Sequence, residues 1–182
     1  MPHEPAQTEA AHFFRSIESL ILAVFGTLWI LFAIQLLNDY WLWLVFAALA
    51  AIFTIVPAAL SVRRAYRRRP AEPTISLERD RRIFAIIHIV EGVLIIFAAW
   101  YLPYSGRSLW LIPAIILIIG LHLLPIARLV QFASFYVLGV ILILLALIGA
   151  RFVPGLQSDG YKSLAAGFLL WIGSFLVFTR NR

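Results

Sequence analysis

Six apolar runs, each long enough to cross a bilayer, leave this chain almost no choice of fold. They occupy residues 19–37, 41–62, 83–102, 109–127, 132–150 and 163–179 of 182, and a helix needs about 20 mostly apolar residues to span a hydrocarbon core. Inside that core every backbone N–H and C=O must be satisfied within the protein, so the runs are predicted to be helices. The expected fold is all-α, a polytopic transmembrane bundle of six helices forming a single membrane domain over 1–182. Composition agrees, with 63% hydrophobic and 13% charged residues where globular chains carry about a quarter charged.

Charge placement orients the bundle. Of 15 basic residues, 8 lie in the stretch 63–82 between the second and third runs. With Arg15, Arg128, Arg180 and Arg182 they make twelve on one side of the membrane, against Arg107, Arg151 and Lys162 on the other. The positive-inside tendency then puts both termini and the basic loop in the cytoplasm. Arginines at such a boundary meet anionic lipid heads, and the lipid bilayer is the expected partner. A net charge of +6 would suit nucleic acid, but no recognition module accompanies it. Zero cysteines excludes disulfides and thiolate chemistry.

Residues 1–16 read as a polar tail with a Phe13-Phe14-Arg15 anchor. No small-residue cleavage site follows the first run, which is expected to stay as an uncleaved helix. Asn38-Asp39 predicts a tight turn, with Tyr40, Trp41 and Trp43 at the headgroup boundary. Trp100, Tyr101, Tyr104 and Trp110 predict the outer boundary around the turn YLPYSGRS. Pro57 is expected to break one backbone bond in the second span. A twelve-residue outer connection, RFVPGLQSDGYK, is expected before the sixth.

One glycine recurs at the same point of spans one, three and five, as Gly26, Gly92 and Gly139, and Leu42-Trp43-Leu44 matches Leu109-Trp110-Leu111. Three helical hairpins related as repeats are predicted from this pattern. A homo-oligomer is left open.

Polar groups break the repeat in the middle hairpin. His88 and Glu91 stand three apart and share a helical face; His88 is five residues from one end of span three, and His122 five from the matching end of span four. At 1.5 Å per residue that places both about 7 to 8 Å deep. An ionisable group there costs several kcal/mol unless it is paired or lines a cavity. His88, Glu91 and His122 are therefore expected to meet as one intramembrane polar cluster. Pro125 frees the carbonyl of Leu121 next to His122, and a snorkelling Arg128 is positioned to supply a compensating charge. Three readings stay open: a hydrogen-bonded staple between two helices, a proton-linked or cation pathway, and a metal held by His88, Glu91 and His122.

Trp29 and Trp171 fall mid-span and are expected to pack in the core, each needing a partner for its indole N–H. Gln35, His12 and Glu18 are placed near interfaces and given no role. No P-loop, dinucleotide fingerprint, nucleophile elbow or HExxH occurs, so no catalytic residue is assigned and the sequence requires no cofactor.

Through GLHLLPIARLVQFASFYVLGVILILLALIG, residues 120–149, the chain resembles uncharacterised bacterial six-helix integral membrane proteins with a GLHxxPxA stretch, Val130 standing where that stretch carries Phe. The hairpin pattern is also similar to that of HdeD-like membrane proteins. These resemblances imply a multi-pass protein of a bacterial cytoplasmic membrane and no activity. The expected function is structural or lipid-interacting, with a proton-linked small-solute or ion transporter, or a metal-dependent intramembrane enzyme, as alternatives.

Overall fold

The computed structural model describes residues 4–37, 41–67, 75–152 and 156–180. The expected turn Asn38-Asp39 with Tyr40, and the central part of the basic loop, 68–74, lie outside them. The described residues form six long helices and no strand: α1 (Glu4–Leu37), α2 (Trp41–Arg67), α3 (Ile75–Tyr104), α4 (Leu111–Leu129), α5 (Ala133–Phe152) and α6 (Leu156–Arg180), with one 3-10 turn at Ser108–Trp110. Each of the six is long and apolar enough to cross a membrane. The chain is a polytopic integral membrane protein.

Four helices outrun their apolar segments. Helix α1 begins at Glu4 rather than at residue 19, α2 runs on to Arg67, α3 begins inside the basic stretch, and α6 begins inside the connection expected between spans five and six. The reason is physical: hydropathy marks where hydrocarbon ends, whereas a helix of Ala, Gln, Glu and Arg continues into water as easily. In α6 an i,i+3 ion pair, Lys162 Nζ to Asp159 Oδ1 at 2.7 Å, closes the first turns. Pro57 and Pro125 sit inside α2 and α4, and both helices run through them.

The core is built from α1, α4, α5 and α6, through Phe14, Leu22, Leu123, Phe135, Leu142 and Leu170. The closest crossings are α1 with α6 and α4 with α5. Both are made by glycine pairs. A Cβ on Gly26 would stand 2.9 Å from the carbonyl oxygen of Gly167, and one on Gly139 would stand 2.7 Å from that of Gly120. Backbones approach this closely only where side chains are absent. The third aligned glycine, Gly92, has nothing within 4 Å of the same position. Trp171 is buried against α1, its Nε1–H donating to Thr27 Oγ1 at 3.1 Å and to the Ala23 carbonyl at 3.3 Å.

Helices α2 and α3 form the periphery, with Phe53 74% and Ile96 71% exposed. In water such patches would be costly; facing acyl chains they are neutral. What positions the site is that α3 leans on α4 and on the first half of α1.

Candidate functional site

The middle of α1, the middle of α3 and the second half of α4 come together in the half of the bundle toward the end from which Arg63, Arg64 and Arg67 extend on α2. On α4, His122 lies on the buried face with Ile119, Leu123 and Ile126. On α3, Glu91 is buried, as is Ala98 two turns on, in a mostly exposed helix. The geometry brings His88, Glu91 and His122 together. His122 Nδ1 stands 3.3 Å from Glu91 Oε1, and the two imidazoles meet edge to face with centroids 4.8 Å apart.

A fourth residue completes the group. Glu18 of α1, 0% exposed, points its Oε2 at His88 Nε2, 3.2 Å away. The apolar run begins at residue 19, so the sequence alone puts Glu18 at an interface. Helix α1 continues back through that boundary, and Glu18 is fully buried with Phe14 one turn before it buried as well. The signal was available: Phe13 and Phe14 precede Glu18, and Phe14, Glu18 and Leu22, four apart, share one buried face.

The ring nitrogens have unequal roles. His88 Nδ1 lies 2.9 Å from the Phe84 carbonyl oxygen; a carbonyl only accepts, so Nδ1 carries the proton in that bond and a neutral ring presents an unprotonated Nε2 to Glu18. His122 is arranged alike, its Nδ1 toward Glu91. Aromatic rings close the group on the side of the basic end, with Phe14 stacked on Phe84 at 5.1 Å and Phe84 against the His88 ring at 4.3 Å.

Both oxygens of Glu18, Nε2 of His88 and both ring nitrogens of His122 are buried without a hydrogen bond of good geometry. Such atoms ordinarily cost about 1 to 3 kcal/mol each. One ligating atom from each of Glu18, His88 and His122 falls within 4.8 Å of the others. The close trio thus contains Glu18 where the sequence suggested Glu91, and Glu91 stands behind His122. Arg128 and Pro125 lie with Leu121 on an exposed stripe of α4. Arg15, one turn before Glu18, donates from Nη2 to the Val130 carbonyl at 2.8 Å, which ties α1 to the α4–α5 turn beside the cluster.

No family model matches the chain, and neither a curated protein nor a solved structure is similar to it.

Proposed function

We propose that this polytopic membrane protein binds a cation at the cluster of Glu18, His88, Glu91 and His122. The observation that carries this reading is the set of buried oxygen and nitrogen atoms of Glu18, His88 and His122 that face one another without hydrogen bonds. With neutral imidazoles and ionised carboxylates the four residues carry a formal charge of −2, and charge at this depth is tolerated only with a counter-charge. A purely structural staple between helices would place donors against acceptors. With His88 neutral and its Nδ1 proton on the Phe84 carbonyl, the Nε2 lone pair faces a Glu18 oxygen 3.2 Å away, an arrangement that a positive ion satisfies. The excess of basic residues on one side supports placing the site toward the cytoplasmic face.

The test is a thermal-stability series on the untagged protein in detergent across Na⁺, K⁺, Mg²⁺, Ca²⁺, Mn²⁺ and Zn²⁺. Binding to the folded form raises the midpoint in proportion to ln(1 + [L]/Kd). At least one cation is expected to stabilise the wild type and not Glu18→Gln; a flat response to all six rejects the reading.

A lipid-interacting role is the second reading, and a different place favours it. A crevice of about 410 Å³ opens at the opposite end of the bundle, walled by Leu102, Trp110, Pro113, Leu117 and Ala146 and including Arg107. An apolar crevice with one cation suits an acyl chain under an anionic head. Loss of co-purifying anionic lipid in Arg107→Gln is the result expected on this reading.

A further inference from the structure

We infer that the cation is a single divalent transition-metal ion of the zinc, iron, manganese and cobalt class, ligated by Glu18, His88 and His122. This deepens the cation-binding reading and rests on it.

Four observations converge. The first is donor chemistry: two imidazole nitrogens and a carboxylate suit borderline divalent metals, whereas Na⁺, Mg²⁺ and Ca²⁺ prefer oxygen alone. The second is spacing. Bonds of about 2.0–2.2 Å place tetrahedral donors roughly 3.3–3.6 Å apart. His88 Nε2 and Glu18 Oε2 are already 3.2 Å apart, and the whole trio falls within 4.8 Å, which small side-chain rotations bridge.

The third is orientation. A metal-binding histidine typically donates its second N–H to a carbonyl or a carboxylate, which fixes the tautomer and aims the other nitrogen at the ion. The His88 ring is held by the Phe84 carbonyl at 2.9 Å, leaving Nε2 facing Glu18. The His122 ring has Glu91 Oε1 at 3.3 Å from Nδ1, an approach without the geometry of a hydrogen bond that a small carboxylate rotation would complete, and its Nε2 is buried without a partner. Glu91 is therefore a positioning residue, and its alignment with a ligand-bearing histidine accounts for a buried carboxylate on the otherwise lipid-facing α3. The fourth is charge, since the two carboxylates balance one divalent ion. Three protein ligands leave a tetrahedral ion one position for a donor from outside the chain, the pattern of working rather than purely structural sites.

The probe is Co²⁺ or Zn²⁺ added to untagged, chelator-stripped protein in nanodiscs, with metal per chain counted by elemental analysis and ligands read by X-ray absorption. One ion per chain is expected, with nitrogen and oxygen scatterers and the outer-shell signature of imidazole. Glu18→Gln, His88→Asn and His122→Asn should abolish stoichiometric binding, and Glu91→Gln should weaken it about 10- to 100-fold. Glu78→Gln, on the exposed start of α3, should leave it unchanged. Wild-type protein that takes up neither metal, or whose bound metal shows no imidazole, overturns the inference even if a variant fails to fold. Stabilisation by Mg²⁺ or Ca²⁺ without Zn²⁺ or Co²⁺ uptake overturns it while leaving the cation reading standing; indifference to all cations removes both.

Discussion

At the turn between α4 and α5, Gln131 adopts φ 52°, the left-handed region that favours glycine. The helix end is otherwise regular, with Val130 N–H bonded to Ile126 O at 2.9 Å and Phe132 N–H to Ala127 O at 3.0 Å, the wide bond of a Schellman ending. Arg15 donates to the carbonyls of Val130 and Gln131 and sits over the Phe132 ring at 5.1 Å, so a distant side chain holds a conformation that Gln itself disfavours. Gln131→Gly should relieve about 1 kcal/mol and raise the unfolding midpoint by about 2–4 °C for a chain of this size. Arg15→Ala should lower it by more than the glycine raises it, because two carbonyls lose their donor. Differential scanning fluorimetry on both variants checks the signs. Individual residues differ in how far sequence exposes them. His88, Glu91 and His122 stood out because each interrupts an apolar run. Glu18 did not, because a carboxylate beside a polar tail looks like a boundary residue until the depth of the helix around it is known.

At the scale of helices, the glycines separate into two kinds. A Cβ on Gly167 would come within 2.5 Å of Ile30 Cγ1 and 2.8 Å of the Gly26 carbonyl, and one on Gly120 within 2.9 Å of the Gly139 carbonyl. Backbone oxygen cannot step aside, so Gly167→Ala and Gly120→Ala should each cost about 1–3 kcal/mol by forcing the helices apart. Gly92→Ala meets nothing within 4 Å and should be neutral or stabilising by up to about 1 kcal/mol, because alanine is the better helix former. Unfolding in mixed micelles with rising dodecyl sulfate would rank the three; equal effects would show that the crossings do not depend on close backbone approach. The recurrence of Gly26, Gly92 and Gly139 was readable in the sequence, but their partners were not. Spacing reports which residues are small, not which helix presses on them, and the most extensive crossing joins α1 to α6, far apart in the chain. Helix ends were misplaced for the same kind of reason: α1 and α6 owe their extra turns to helix propensity and an ion pair, neither of which hydropathy records.

For the molecule as a whole, hydrophobicity alone determined the six-span architecture, because the bilayer leaves a helix as the only economical state for each apolar run. The expected orientation rests on a different signal, the twelve-to-three division of basic residues between the two sides of a six-span topology, and it would decide which compartment the site faces. Glu18 and His88 lie in the first halves of α1 and α3 and His122 in the second half of α4, so all three lie in the half of the bundle toward Arg64. With the Arg64 end in the cytoplasm, an ion bound as proposed would come from the cytoplasm, past the layer where Phe14 and Phe84 stack at 5.1 Å. The chain has no cysteine, so single substitutions report cleanly. Arg64→Cys and Arg79→Cys, on exposed positions, should resist a membrane-impermeant maleimide in intact cells and react after permeabilisation, while Ser105→Cys should react at once. The reverse pattern would leave the bundle and its cluster as described, but would turn the Glu18 end outward and make any ion bound there an external one.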